Sequence, residues 1–548
     1  MRQILKKIPD ETYVFLIFFL FFVCNLTANF SGPHDSLGYL NDLEKKRDLF
    51  PAAHLLYHCT AYLLLSVLEW VLPHVKHFYL VEMIDATWGC LALAVVYRMF
   101  VRRMRMDRLR AFCATAVAAL SFGVWFYCSN IEVYMPSLFF LLCGLYVCTR
   151  PQWSKADVTL IIAIHILAVL FHQANVLFGV VVLWKMWSNR KTVPLVPSIV
   201  RYVVSSVVVT AGIYFIMGWW IAGNSGLKDF NTWLRGDTVY SSYWFPLSLG
   251  TFFHAMVGLG HAFFGAHFIF RIGFMQRLMN RVFYYHNLDD EAFLVRDLSP
   301  MVAALLAVLA AVVVAAMLFF LGRVISKWRS LFRTYRQTMM PMLLFLVTYS
   351  TFFYFWMPDN LEFWIPQTAV IWLFLLGMTN LSYRLPVLKV RMGERPALAE
   401  PPAGARWLTP AFAGLAVLLF VVNYWGSIRW MKDIRNDIVY NKTKILYDRA
   451  TARDIIIMED PWLISYFLEQ YTPARLMQVP VGTENISIAN REIDSCFRQG
   501  GRVYLMTEGS TVHAKANKTY LDSLMNAHAG KVVDLHNELT PVKMIVNP

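Results

Sequence analysis

Seven side chains in this sequence have the chemistry of a reaction site, and they stand beside or at breaks in apolar runs. Asp35 lies in the polar stretch FSGPHDSLGYLNDLEKKRDLFPAAHLLYH, residues 30–58, just beyond the first apolar run. The same stretch carries His54 and His58, four apart and so on one face if the segment is helical. Glu132 sits in the short loop SNIEVYMP, His172 interrupts a long apolar run, and Asp359 and Glu362 lie in MPDNLEFWIP. A carboxylate within hydrogen-bond reach of a hydroxyl takes its proton as the hydroxyl attacks, which is general-base work. Ionisable groups at a membrane mouth are expensive unless they work or pair. Bland roles compete for each. Asp35 would cap the short helix starting at Ser36. His54 and His58 would pack at an interface, His172 would only break a helix pair, and Glu362 would sit at a helix start where the dipole favours an acid.

The elements that must position these groups are membrane helices. The chain has 548 residues, of which 57% are hydrophobic, 16% aromatic and 16% charged. That is not a soluble composition. Apolar runs of about 20 residues, enough to cross ~30 Å of hydrocarbon, recur from Tyr13 to Gly426. The net charge of +14 is gathered in short loops between runs, which is an orientation signal and not a nucleic-acid surface. The eight cysteines form no CxxC pair, so neither a zinc nor a redox site is expected.

Charge bias then sets the expected topology. Arg2, Lys6 and Lys7 put the N-terminus in the cytoplasm, and the loop Arg98–Arg110 with its six arginines is cytoplasmic too. One return crossing fits between them, so Pro51–Leu72 is expected to lie in the outer interface and Phe78–Tyr97 to cross inward. Ala111–Cys128 crosses outward and delivers Glu132 to the face of Asp35, and Pro136–Cys148 returns. Val158–Trp187 is too long for one span and is expected to be two short helices turning at His172. Asn224–Tyr243 is an outer loop bearing Lys228, Asp229, Arg235 and Asp237. Trp244–Asp297 is expected to form a re-entrant or twice-crossing hairpin plus an interfacial helix. The loops Arg323–Arg336 and Arg384–Arg406 are cytoplasmic, and Leu408–Tyr424 is the last span. This gives a polytopic α-helical membrane protein of about 11 to 13 spans.

Two domains are expected: 1–430 in the membrane, and a soluble tail, 431–548. In the tail RDIIIMED, RLMQVP and GRVYLMTE read as short buried strands, with helices at Pro461–Gln470, Glu484–Gln499 and Asn517–Ala529. Their alternation predicts a small α/β domain on the extracytoplasmic side. No glycine-rich phosphate loop follows any strand.

An acid soon after the first helix, the PAAHLLYH helix and a Leu-rich return span ending in arginines resemble the GT-C superfamily of membrane glycosyltransferases. The likeness is to the protein O-mannosyltransferase and aminoarabinose-transferase branch, over roughly residues 12–190. It implies a polyprenyl-phosphate sugar donor, an extracytoplasmic active site and inversion at the anomeric carbon. By position, Asp35 matches the family's acid of the first outer loop and Glu132 that of the second. The family's adjacent His-Pro-Pro is not intact, because two alanines separate Pro51 from His54.

The expected site is therefore Asp35 and Glu132 as catalytic acids, with His54, His58, His172 and Glu362 around the substrates. Lys228, Arg235 and Arg271 are expected to clamp the lipid phosphate. Asp35, Glu132 and a histidine are also compatible with a divalent cation, which their spacing does not require. The expected partners are a polyprenyl-phosphate-linked sugar, the bilayer, and an acceptor hydroxyl on protein, lipid or envelope glycan. The expected location is a bacterial inner membrane. Two other classes stay open: a transporter or flippase of lipid-linked sugars, and a non-catalytic envelope assembly protein.

Overall fold

The computed structural model describes residues 9–236, 243–283, 288–385, 403–459, 462–480, 483–506, 514–537 and 539–546. Asp237 and most of the Arg384–Arg406 loop lie outside them. The chain divides into two compact units, Met1–Thr27 with Lys46–Lys432, and Ala28–Lys45 with Asp433–Pro548. The polar stretch after the first helix, expected within the membrane domain, thus belongs in large part to the unit that holds the tail.

The first unit is helical. It begins with α1 (Asp10–Val23), while α2 (Ser36–Lys45) belongs to the second unit. A 3₁₀ turn, Ala52–His54, leads into α3 (Tyr57–Val71), whose outer face is apolar and exposed at Leu63, Val67 and Trp70. Then come α4 (His77–Arg102), α5 (Arg108–Ala119), α6 (Phe122–Tyr127) and α7 (Tyr134–Cys148). The expected single crossing Ala111–Cys128 is thus two helices, broken at Leu120 and Ser121. Ser154 caps α8 (Lys155–Phe171) in a reciprocal box with Asp157. The chain breaks at His172, runs through a 3₁₀ segment and continues as α9 (Gly179–Ser188), matching the helix pair expected there.

Next follow α10 (Leu195–Ile216), α11 (Leu227–Arg235), α12 (Leu249–Phe264), α13 (Gly273–Val282) and α14 (Asp289–Leu294). The unit closes with α15 (Pro300–Ser326), α16 (Trp328–Phe355), α17 (Ile365–Ser382) and α18 (Leu408–Asn423). Among the described residues six helical stretches are long and apolar enough to cross a membrane: His77–Arg102, Leu195–Ile221, Pro300–Ser326, Trp328–Phe355, Leu361–Ser382 and Leu408–Met431. The other expected crossings are shorter or interrupted pieces, including Tyr134–Cys148 and Leu249–Phe264. Helices α15 and α17 are apolar all round, as membrane helices are, yet their surroundings differ. Every side chain of α17 except Ile371 is buried within the protein. On α15 most of the apolar surface faces outward, Met301, Val308 and Leu318 among it. Lipid is the environment that suits such a surface.

In the second unit β1 (Ile455–Met458), β2 (Arg475–Gln478) and β3 (Val503–Met506) pair in parallel in the order β2-β1-β3, which gives the expected α/β unit. Strand β2, expected to be buried, is instead an edge strand exposed at Arg475 and Gln478. Helices α20 (Trp462–Tyr471) and α21 (Thr483–Arg498) make the crossovers that parallel strands need. Helix α19 (Ile438–Thr443) precedes them, and α22 (Ala514–Ala527) follows β3. Sequence reading missed β4 (Val532–Asp534) and β5 (Val542–Ile545), which add antiparallel strands in the order β3-β5-β4. β4 has three partly exposed residues and β5 carries Lys543, so neither shows the apolar run of a buried strand. All four side chains of β1 and of β3 are buried, and Ile455, Ile457, Val503 and Leu505 share a core with Ile493, Cys496, Leu521 and Ile545.

Candidate active site

The loop that carries Glu132 is buried and hydrogen-bonded at both ends. Helix α6 ends at Tyr127 and α7 starts at Tyr134, with Pro136 in the first turn, where its missing N–H costs no helical bond. All residues from Ser129 to Val133 are buried. At one end the Thr27 amide and hydroxyl both donate to the Ser129 carbonyl at 2.9 Å, and Asn130 Nδ2 donates to Thr27 Oγ1 at 3.0 Å. At the other end the Glu132 amide donates to Asp85 Oδ2 at 3.2 Å, and Val133 N donates to Glu132 Oε2 at 3.1 Å. Asp85 stands on α4, and its Oδ2 also accepts the Tyr57 hydroxyl of α3 at 2.8 Å. Close approach of α4 to the end of α6 depends on Gly89, since a Cβ there would lie 2.1 Å from Cys128 Sγ.

Three of the other expected site residues gather around Tyr134, two residues after Glu132. The His54 and His172 rings meet edge-on at 4.8 Å, and the Tyr134 ring lies 5.4 Å from His172 and 6.3 Å from His54. Tyr134 also touches Tyr127 at 5.7 Å and Phe363 at 6.0 Å between centroids. The Tyr127 hydroxyl donates to Glu362 Oε2 at 3.4 Å, and Asn360 Nδ2 donates to Glu362 Oε1 at 2.8 Å. His172 ends α8, and its Nδ1 accepts the Ala174 amide at 3.2 Å, so breaking the helix and facing the site are one arrangement. Asp359 pairs with His254 Nδ1 at 3.1 Å.

His58 departs from the expectation of a shared helix face with His54. His54 closes a 3₁₀ turn, whereas His58 is in the first turn of α3, with Leu55 and Leu56 between the two elements. His58 is buried, and its Nδ1 donates to the Asp48 carbonyl at 2.8 Å, anchoring the chain that enters this region.

The three cations expected at the phosphate do not share one element. Lys228 and Arg235 are exposed on α11. That helix is tied down near His172, because Gln173 Nε2 donates to the Leu234 carbonyl at 3.1 Å. Trp233 and Leu234 also pack on Ala52, Leu55, Leu170 and Tyr214. Arg271, in a separate 3₁₀ turn, directs its Nε to the Leu298 carbonyl at 2.8 Å. No contact groups it with the other two among the described residues.

Asp35 belongs to the second unit. It is half-buried and immediately precedes α2, at the start of the helix where a capping acid is expected. The Tyr39 hydroxyl lies 3.4 Å from its Oδ2 and donates to it. Within the same unit the buried Asp437 fixes the segment that leads to this position. Its Oδ2 accepts the Phe30 and Ser31 amides, each at 2.9 Å, while its Oδ1 accepts the Tyr440 amide at 3.0 Å. Burial raises the Asp437 carboxyl above the usual aspartate value of 3.8, against the lowering effect of those accepted bonds. Asn41 Nδ2 donates to the Tyr466 carbonyl at 3.1 Å, and a Cβ at Gly38 would touch the Tyr466 ring at 3.0 Å, so α2 lies close on α20.

Among the described residues no three His, Cys, Asp or Glu side chains are grouped so as to hold a metal ion. Sequence reading missed Asp85, Tyr57 and Thr27 as the groups that fix the Glu132 loop. For Asp85 the signal is an acid within the apolar run FYLVEMIDATWGC.

No protein-family model matches this sequence, and no curated protein matches it by sequence. Solved structures do match the fold. ArnT from Cupriavidus metallidurans in the apo state superposes with a TM-score of 0.54 at 11% identity, covering 98% of each chain. ArnT from the same organism bound to undecaprenyl phosphate gives a TM-score of 0.51 at 12% identity, over 98% of this chain and 97% of that one. From end to end, then, this chain has the fold of these ArnT structures.

Proposed function

We propose that this protein is an inverting membrane glycosyltransferase that moves a sugar from a polyprenyl-phosphate donor to an acceptor hydroxyl on the extracytoplasmic face. The observation that carries the proposal is the shared fold with ArnT over nearly the whole of both chains, one of those structures holding undecaprenyl phosphate. The chemistry of the named residues fits a single displacement. Asp35 takes the proton of the acceptor hydroxyl as its oxygen bonds to the anomeric carbon. The bond from that carbon to the phosphate oxygen breaks, and the lipid phosphate leaves with the electron pair. Attack opposite the departing phosphate inverts the anomeric centre. The transition state has oxocarbenium character, as in glycoside hydrolysis.

The leaving phosphate is anionic already, so it calls for cations and not for a general acid. Lys228 and Arg235 on α11 are the first candidates, with Arg271 a third. Glu132 orients the acceptor from its fixed loop, and His54, His172 and Glu362 shape the mouth around Tyr134. The acceptor belongs to protein, lipid or envelope glycan, and the tail unit is extracytoplasmic in a bacterial inner membrane.

The test uses the full chain in lipid nanodiscs with undecaprenyl-phosphate sugars labelled in the sugar. Transfer of label to a hydroxyl acceptor, with stoichiometric release of undecaprenyl phosphate, is the expected result. If liposomes containing the protein instead move intact donor across the bilayer without breaking the sugar–phosphate bond, the flippase reading replaces this one.

A further inference from the structure

A buried acid in a membrane helix, Asp85, holds the Glu132 amide directly, and no step of the reaction uses it. Asp85 is fully buried, and one of its oxygens, Oδ2, receives both the Tyr57 hydroxyl at 2.8 Å and the Glu132 amide at 3.2 Å. That single atom joins α3, α4 and the outer loop. The loop's other end is fixed independently through Thr27, Ser129 and Asn130. With Ser129 and the Glu132 amide both fixed, the Glu132 Cα has little freedom. The carboxylate then folds back on the next amide, Val133 N to Oε2 at 3.1 Å, so the backbone that aims it is held at the Asp85 end.

We propose that Asp85 and Tyr57 are positioning residues, which aim Glu132 by fixing its backbone amide from within the membrane unit. The proposal rests on the glycosyltransferase reading for the role of Glu132, but not for the hydrogen bonds that aim it. A plain packing role for Asp85 would stabilise α3 against α4 and leave Glu132 indifferent. Aiming makes a different demand, because displacing a substrate-orienting group by about 1 Å costs on the order of 10² in rate.

Two chemical features make the demand testable. First, the shared oxygen acts as an acceptor, so an amide oxygen at the same place serves both donors. Asp85→Asn should keep transfer within about threefold of wild type, while Asp85→Ala should lower kcat/KM for the acceptor by about 10- to 100-fold, mostly as a rise in KM. Tyr57→Phe removes one of the two donors and should fall between them. In all three, affinity for undecaprenyl phosphate, probed with the phosphate lipid alone, should stay unchanged. Second, a residue that acts through another loses its effect when the other is disabled. In a Glu132→Gln background, Asp85→Ala should cost less than about threefold, so the two losses should not multiply.

The experiment is steady-state transfer by the full chain in nanodiscs, with hydrogen exchange of residues 129–133 measured on the same samples. Faster exchange of the Glu132 amide in Asp85→Ala, restored in Asp85→Asn, together with non-multiplying rate losses, is the expected outcome. Losses that multiply would show a merely structural role. Equal damage from Asn and Ala would show that the charge and not the aim matters, and either result overturns the proposal. If wild type transfers no sugar from any polyprenyl phosphate, the function proposed above falls. The exchange data then still decide whether Asp85 fixes the loop, and unchanged Glu132 exchange in Asp85→Ala would reject it. Should Asp85→Ala not fold, Tyr57→Phe and Asp85→Asn carry the same comparison.

Discussion

At the scale of single residues, the two acids singled out by the sequence meet different surroundings. Asp35 is half-buried at the start of a short helix, with the Tyr39 hydroxyl as a neighbour. Glu132 is almost wholly buried in a loop whose backbone is fixed at both ends. A base must exchange protons with substrate, which favours the more accessible of the two. Asp35→Asn keeps size and hydrogen bonding while removing basicity. Sugar transfer should therefore fall by at least ~10², with undecaprenyl phosphate still bound. Glu132→Gln keeps the Oε contact with the Val133 amide and should lose less, mostly as a rise in the acceptor KM. Full activity in Asp35→Asn would reduce this carboxylate to a helix cap. The histidines show what residue type alone leaves open. His54 and His172 meet at one aromatic cluster, whereas His58, four residues from His54, is spent on the Asp48 carbonyl.

At the scale of elements, α11 is the segment best suited to meet an anionic lipid head. It is short and amphipathic, and it is tied down through Trp233, Leu234 and the Gln173 contact while Lys228 and Arg235 stay exposed. Charge removal at both, Lys228→Gln with Arg235→Gln, should weaken binding of undecaprenyl phosphate about tenfold or more, and Arg271→Gln should weaken it less. Arg271 already donates to the Leu298 carbonyl, which engages part of its guanidinium. Equal affinity in the double variant would move the phosphate elsewhere.

The second element of interest is the polar stretch held by Asp437. Replacing Asp437 by Ala strands the Phe30, Ser31 and Tyr440 amides, at about 1–3 kcal/mol for each donor left buried. The folded carboxyl binds its proton more tightly than the unfolded one, so its contribution is fully present below pH 3.8. That contribution is lost as pH rises through the raised folded value. Hydrogen exchange of the β1 and β3 amides in the full chain should show the advantage of wild type over Asp437→Ala shrinking in that direction. An advantage that grows with pH would reverse the assignment.

At the scale of the whole molecule, orientation follows from where the cations are. Single cysteines at Arg105 and Gln499 in a cysteine-free background should label from opposite sides, Arg105→Cys from the cytoplasm and Gln499→Cys from outside. Labelling of Gln499→Cys from the cytoplasmic side alone would put the tail, and the reaction proposed here, on the wrong face.

Composition and apolar run length alone establish a polytopic helical membrane protein, because an unbroken apolar stretch has no soluble alternative. The tail's α/β character is legible, and β1 and β3 most clearly, since buried central strands must be apolar throughout, as IIIM and VYLM are. Short-range punctuation is legible as well, and the break at His172 falls where the run is too long for one helix. Long-range pairing is another matter. That Ala28–Lys45 belongs with the tail depends on Asp437 meeting amides some 400 positions earlier, and no local pattern encodes such a partner. Antiparallel β5 joins the sheet from a segment whose Lys543 interrupts the apolar run. Asp85 is visible in the sequence as an acid out of place. Only tertiary structure could connect it to Glu132, because the hydrogen bond joins residues on two separate elements, and its direction is decided by how those elements pack.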